Sequence, residues 1–146
     1  MKPSGTISGV LHSKGSEVWT VSPNSTVFDA IRLLAQKNIG ALPVMDGDHL
    51  VGIFSERDYT RKVALEGKSS RDVRVVEIIS RSVFTVSPDC TVAEAMRLMT
   101  DKHIRHLPVL EAGKLVGFIS MGDMVNWTIS AQDAAIDQME SYLLGR

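Results

Sequence analysis

The sequence has only one cysteine, so no disulfide can form within the chain. A lone thiol is typical of proteins kept in a reducing compartment, and we expect a cytoplasmic protein. The formal net charge is −1, and acidic and basic residues are spread along the whole chain. Without a clustered basic field, the sequence predicts no nucleic-acid partner.

Long apolar runs are also missing from this sequence. No uninterrupted apolar segment approaches the roughly 20 residues that a membrane helix needs, and residues 1–19 lack the apolar centre of a signal peptide. We therefore expect no membrane association. Hydrophobic residues make up 44% of the 146 residues, which is typical of an ordinary globular protein.

The chain is an internal duplication. Residues 21–59 return as residues 86–124 without an insertion or deletion, and 18 of the 39 aligned pairs are identical. Two copies are too few for the open-ended solenoids that stack three or more repeats. They favour instead a pseudo-twofold arrangement, in which each unit covers the apolar face of the other.

Each copy is predicted to fold as β-α-β-β-α, which gives an α/β protein. Short β-prone runs end at turn residues, and apolar residues recur at helical spacing between them. Ser25 or Thr26 is expected to cap the first helix. In the first copy the predicted elements are 18–21, 27–35, 42–45, 50–54 and 55–66. In the second they are 83–86, 92–102, 107–110, 115–119 and a helix from residue 121.

The predicted domain division falls at the polar linker between the copies. Residues 1–74 hold the first copy with its leading segment, residues 75–146 hold the second copy with a C-terminal helix, and together they form one module. Residues 5–12 are expected to form a short opening helix that matches residues 75–79. Beyond Asp123, apolar residues at helical spacing predict a longer terminal helix with a stripe that faces a partner.

One motif recurs where a strand passes into a helix, as GIFSERD at residues 52–58 and GFISMGD at residues 117–123. Glycine permits close approach of a ligand, a serine hydroxyl can bond a phosphate oxygen, and free helix amides favour an anion. The aspartate accepts hydrogen bonds only, which suits a pair of vicinal hydroxyls. Such a set could hold a ribose and its phosphate.

The same motif has a purely structural interpretation. A serine followed three residues later by an acid is also the pattern of a helix capping box. A single copy would favour that interpretation. Recurrence of the glycine, the serine and the aspartate together favours ligand binding, because capping requires no glycine.

With the upstream segments NIGALPV at residues 38–44 and HIRHLPV at residues 103–109, these motifs resemble the two halves of a CBS-domain pair, or Bateman module. The resemblance covers nearly all of residues 18–125. It implies that AMP, ADP, ATP or NAD binds in clefts between the two motifs as a regulatory ligand. It also implies an energy-sensing module that signals to a partner protein by conformational change, and a disc-like homodimer.

The resemblance further implies two ligand sites built around Asp58 and Asp123, which would bond the ribose hydroxyls. Ser55 and Ser120 would contact phosphate. The other residues implied for the Asp58 site are Ile53, Arg57, Ser80, Val83 and Ile104. Those implied for the Asp123 site are Trp19, Ile39, Gly40, Arg105, His106 and Phe118.

The two implied sites are not equivalent in charge. Arg105 and His106 match positions that often reach phosphate, whereas their counterparts in the first copy are Gly40 and Ala41. We therefore expect the more highly phosphorylated ligand at the Asp123 site, although Arg57 could compensate at the Asp58 site.

Other function classes find less support in the sequence. Neither copy pairs a nucleophile with a base or gathers carboxylates around a metal, so we predict no catalytic residues and no enzyme. His103 and His106 precede a strand and lack a third ligand, so we predict no metal site. The alternative to ligand sensing is a scaffold that dimerises with empty clefts.

Overall fold

The computed structural model describes residues 4–15 and 17–145. Its regular elements follow the predicted order closely. They are α1 (Ile7–Lys14), α2 (Val27–Lys37), β1 (Ala41–Asp46), β2 (His49–Ser55), α3 (Glu56–Tyr59), a π-helical turn (Thr60–Ala64), a 3-10 turn (Val75–Glu77), α4 (Val92–Lys102), β3 (His106–Glu111), β4 (Lys114–Ser120) and α5 (Met121–Leu144).

The chain divides into two compact units, each built around one copy of the repeat. The Asp58 unit comprises Glu17–Phe84 and Ala112–Leu115, and the Asp123 unit comprises Thr85–Glu111, Val116–Arg146 and the described part of Met1–Ser16. The sequence-based division at residue 74 assigned residues 4–15 to the first copy and residues 75–84 to the second. In the structure, residues 4–15 belong to the Asp123 unit and residues 75–84 belong to the Asp58 unit.

Equivalent main-chain hydrogen bonds hold these two leading segments. The amide of Ile7 donates to the carbonyl oxygen of Cys90 at 2.8 Å, and the amide of Val75 donates to that of Ser25 at 2.9 Å. Ser25 and Cys90 are partners in the duplication. The predicted match between residues 5–12 and 75–79 is therefore confirmed, although the first forms an eight-residue helix and the second a three-residue 3-10 turn.

Each unit has its own apolar core, and the leading segment contributes to it. In the Asp58 unit, the core cluster consists of Val27, Ala30, Leu34, Leu42, Val44, Phe54, Val63, Val73, Val75 and Ile78. In the Asp123 unit, it consists of Ile7, Val10, Leu11, Val86, Val92, Ala95, Met99, Leu107, Val109, Ile119 and Met124. Each leading segment belongs to the unit in which its apolar side chains are buried. Burial of one large apolar side chain stabilises the folded state by roughly 1.5–3 kcal/mol.

The first helix of each copy is set by its caps. The hydroxyl of Thr26 accepts from the amide of Asp29 at 3.1 Å, and Thr91 caps α4 in the same way, so the prediction of Thr26 as a cap is confirmed. Both helices end at a residue in the left-handed conformation, Asn38 in α2 and His103 in α4. Each N-terminal hydroxyl cap contributes about 1 kcal/mol. Each left-handed residue ends its helix and leads the chain toward the following strand.

The predicted hairpins are present, whereas the predicted opening strands are almost absent. β1 pairs antiparallel with β2, and β3 is the neighbour of β4. Residues 18–21 and 83–86 contribute only one parallel bridge each, Val21 to Val44 and Val86 to Val109. A turn follows each bridge at once, with Ser-Pro as its first residues, and carries the chain away from the sheet.

The last helix differs between the copies. In the first copy the helix predicted over residues 55–66 is α3 followed by the π-helical turn, whereas α5 runs unbroken for 24 residues. The predicted terminal helix is thus present, and it exposes a row of apolar side chains: Val125, Ile129, Ile136, Met139 and Leu143. Within residues 4–15 and 17–145, no helix is long and apolar enough to cross a membrane.

Candidate functional site

Asp58 lies in the first turn of α3, directly after β2. Its Oδ2 accepts hydrogen bonds from the amide of Ser55 at 3.1 Å and from the Ser55 hydroxyl at 3.0 Å. The Asp58 amide in turn donates to Ser55 Oγ at 3.2 Å. The two residues form a capping box, and 20% of the Asp58 side chain remains exposed.

Asp123 occupies the equivalent place at the start of α5. Its Oδ2 accepts from the amide of Ser120 at 2.8 Å, and its amide donates to Ser120 Oγ at 3.1 Å. The capping interpretation is therefore confirmed in both copies. It does not exhaust the carboxylates, because each has about four lone-pair positions and the box uses a single oxygen.

Each aspartate also has a lysine partner that the sequence analysis missed. Lys62 Nζ lies 3.3 Å from Asp58 Oδ1 and donates to the carbonyl oxygen of Ile78 at 2.7 Å. Lys14 Nζ lies 2.6 Å from Asp123 Oδ2 and donates to the carbonyl oxygen of Phe118 at 2.8 Å. We call Ser55, Asp58 and Lys62 the Asp58 cluster, and Ser120, Asp123 and Lys14 the Asp123 cluster.

The two lysines come from unrelated positions. Lys62 follows Asp58 by four residues along the helical segment, a spacing that sequence inspection could have identified. Its counterpart in the second copy is Trp127, which instead donates to the carbonyl oxygen of Ser4 at 2.7 Å. Lys14 lies 109 residues before Asp123, at the end of α1, and no local pattern marks it.

The motif glycines serve packing, which corrects one step of the sequence argument. A Cβ at Gly52 would lie 2.7 Å from the carbonyl oxygen of Ser80 and 2.8 Å from Ile79 Cδ1. A Cβ at Gly117 would lie 2.6 Å from Leu11 Cδ2. The leading segments thus require glycine at both places, so the recurrence of this glycine is no evidence for a ligand.

Several residues implied for the sites lie around the Asp58 cluster. Ile53 and Ser80 form an antiparallel bridge, and the carbonyl oxygen of Gly40 accepts from the Glu56 amide at 3.1 Å at the start of α3. Arg57 is exposed in the first turn of α3.

Three further residues belong to the Asp58 unit. Val83 is partly buried, and Ile39 packs against the unit's core. Lys37 Nζ lies 3.9 Å from the centroid of the Trp19 ring, a cation–π contact on an exposed surface.

The Asp123 unit holds the remaining implied residues. The carbonyl oxygen of Arg105 accepts from the Met121 amide at 2.9 Å, which ties Arg105 to the start of α5. The rings of His106 and Phe118 stack with centroids 5.4 Å apart and an interplanar angle of 15°. Ile104 packs against the core of this unit.

The units separate residues that the resemblance assigned to one site. Ile104 was expected at the Asp58 site but belongs to the Asp123 unit, while Trp19, Ile39 and Gly40 were expected at the Asp123 site but belong to the Asp58 unit. These contacts across the two copies stay predictions.

The charges of the two clusters are more alike than the sequence comparison suggested. Burial lowers the pKa of His106, and the nearby Asp123 carboxylate only partly opposes that effect. At neutral pH His106 is therefore a neutral hydrogen-bonding group. Each unit then has one lysine beside its aspartate and one arginine at the implied site, which is Arg57 in the Asp58 unit and Arg105 in the Asp123 unit. Over residues 4–15 and 17–145, His, Cys, Asp and Glu nowhere gather in threes that could hold a metal ion.

Known proteins are similar to this chain in sequence and in fold. The family model described as CBS domain matches residues 9–65 and 75–130. A solved structure of a protein with CBS domains from Burkholderia ambifaria is 47% identical, with a TM-score of 0.84, covering 88% of this chain and 96% of that chain.

Two further relatives extend the comparison. A mitochondrial CBS domain-containing protein of Arabidopsis thaliana is 37% identical over 97% of this chain and 73% of its own length. The hexameric CBS-CP12 protein from bloom-forming cyanobacteria is 30% identical, with a TM-score of 0.73, over 84% of this chain and 71% of that one. Together with the two motif matches, these likenesses establish that the chain belongs to the CBS-domain family and carries a pair of CBS domains.

Proposed function

We propose that this chain is a regulatory module that binds an adenine nucleotide, AMP, ADP, ATP or NAD, and passes the binding event to a partner protein by a change of conformation. CBS-domain pairs are generally regulatory modules that bind adenosine ligands. The observation that carries the proposal is the recurrence of one half-buried aspartate, capped by serine and paired with lysine, at the same strand-to-helix junction of both copies.

The chemistry of each cluster suits the sugar of such a ligand. A carboxylate can accept two hydrogen bonds from the vicinal ribose hydroxyls, and the neighbouring lysine places a positive charge beside it. The Ser120 hydroxyl accepts from the Asp123 amide, and its own hydrogen can turn to a phosphate oxygen. Arg57 and Arg105 supply further positive charge for phosphates.

Signalling requires that the ligand bind two conformations with different affinity. The leading segments are suited to respond, because each packs directly against a motif glycine, Leu11 on Gly117 and Ile79 on Gly52. A ligand that displaces the motif would also displace the segment packed on it. The family's regulatory character supports this role rather than catalysis. A cytoplasmic location is part of the same proposal.

A homodimer is the second part of the proposal. The apolar row of α5 is exposed along the helix, and exposure reaches 64% at Met139 and 72% at Leu143. Contiguous exposed apolar side chains of this kind often mark a protein–protein contact. A CBS-CP12 relative is hexameric. If the clusters remain empty under all conditions, this surface would support the alternative of a ligand-free scaffold.

Thermal unfolding in the presence of AMP, ADP, ATP, NAD and S-adenosylmethionine tests the proposal. A ligand at a hundred times its dissociation constant stabilises the folded state by about 2.7 kcal/mol, a shift that a melting curve resolves. The shift should shrink when Asp58 and Asp123 are both replaced by alanine. Melting curves that respond to none of these compounds would favour the scaffold.

A further inference from the structure

The Lys14 ammonium is held in a fixed place at the end of α1. It donates to Asp123 Oδ2 at 2.6 Å and to the carbonyl oxygen of Phe118 at 2.8 Å. An ammonium has three N–H donors. Two acceptors from described residues therefore occupy two of them and leave the third for another group.

The surroundings make an anion the natural acceptor for that third donor. The Lys14 side chain is 33% exposed, so a ligand can approach it from solvent. Arg105 belongs to the same unit, and its carbonyl oxygen accepts a hydrogen bond from the Met121 amide at the start of α5. The contacts of Asp123 described above all end on Oδ2, so its Oδ1 can accept a hydroxyl while Lys14 stays in place.

The other copy supports the same assignment independently. Lys62 is also held by an aspartate, at 3.3 Å, and by a main-chain carbonyl oxygen, at 2.7 Å. Lys14 and Lys62 are not partners in the duplication, so their similar surroundings were not inherited with the repeat. In each unit, a lysine from an unrelated position thus lies beside the equivalent aspartate and also contacts a main-chain carbonyl oxygen.

We propose that Lys14 is a ligand-binding residue that selects for the phosphate of the ligand: Asp123 accepts the ribose hydroxyls, and the held ammonium of Lys14 donates to a phosphate oxygen. This inference rests on the proposed function. Because Asp123 and Phe118 fix the ammonium beforehand, little side-chain entropy is lost when the phosphate binds. Lys14 then discriminates a nucleotide from its nucleoside.

Calorimetric titration with AMP and with adenosine separates this role from a structural one. The titrations use the full chain with Asp58→Ala, so that only the Asp123 cluster keeps its aspartate. In this background Lys14→Met should weaken AMP binding about tenfold, the effect of losing a hydrogen bond to a charged group, and leave adenosine binding unchanged or tighter. Lys14→Arg should keep the preference for AMP. Lys114→Met, which removes the same charge at an exposed position, should leave the ratio of the two affinities as it was.

Three results would overturn the inference. Unchanged affinities for both AMP and adenosine in Lys14→Met would remove the phosphate contact and leave the proposed function standing. An equal loss for both ligands would assign Lys14 a structural role only. Failure of the wild-type chain to bind any adenosine compound would overturn both proposals. If Lys14→Met does not give a cooperative melting curve, Lys14→Gln against Lys14→Arg decides the same question.

Discussion

Replacement of Asp123 by alanine separates the structural and ligand-binding roles of the motif, because one side chain serves both. Its Oδ2 accepts from the Ser120 amide and pairs with Lys14. Loss of the cap should cost about 1 kcal/mol of unfolding free energy. The ion pair is partly exposed, so its loss adds at most about 1 kcal/mol. Thermal unfolding should therefore occur about 2–8 °C lower than in the wild type.

The effect on ligand binding should be larger and of a different kind. Ribose hydroxyls that donate to an ionised carboxylate are worth about 1.5–3 kcal/mol, so AMP or ATP should bind about ten- to a hundredfold more weakly to Asp123→Ala. Asp123→Asn is the matched control for shape, because it keeps one acceptor oxygen and loses the charge. We expect it to fall between the wild type and the alanine variant.

Isothermal titration calorimetry at a temperature where every variant is folded provides the measurement. Asp58→Ala in the same series reports the other cluster, and the double variant shows whether the two losses add. If affinity in the Asp58→Ala background stays the same after Asp123→Ala, the assignment of Asp123 to the ribose is refuted. Asp123 would then be a capping residue only.

Three further predictions concern packing, pH and assembly. Gly52→Ala should destabilise the fold by about 2–3 kcal/mol in urea unfolding and Gly117→Ala by less, because the first meets a main-chain carbonyl and the second the end of a leucine side chain; equal effects would contradict this packing account. The lowered pKa of His106 means that the unfolded state takes up a proton first as pH falls through about 6.5, so stability should decrease from that pH down to the folded-state pKa and stay reduced below it, and His106→Gln should flatten this dependence. Ile136→Asp should shift the chain to monomer in sedimentation velocity with little loss of stability, whereas Ala134→Asp, on the opposite face of α5, should not; monomer in all three proteins would exclude this face as the dimer contact.

Local sequence determined most of the secondary structure. Thr26 and Thr91 cap their helices because a hydroxyl at that place satisfies a free amide, and Ser55 with Asp58 forms a box for the same reason. The hairpins followed from alternating apolar runs around tight turns, and the duplication doubled each signal. The strands predicted over residues 18–21 and 83–86 show where local sequence is insufficient, since each segment forms only one bridge. Residues that favour β structure form a ladder only where a neighbouring strand is available.

Local sequence also located the two aspartates, but not their partners. Lys14 reaches Asp123 across 109 residues, and no periodicity in the chain records such a contact. The motif glycines were visible in the sequence, yet their reason was not. Only the packed structure shows that Leu11 and Ile79 occupy the space where a Cβ would lie.

The sequence alone thus determined the repeat, its helices and hairpins, and the places of the acidic side chains, because each depends on residues within a few positions of one another. The tertiary structure alone decided which leading segment packs with which copy, and which lysine stands beside which aspartate. Those choices depend on burying apolar side chains from distant parts of the chain in a shared core, and that free energy is set by shape in three dimensions rather than by neighbours in sequence.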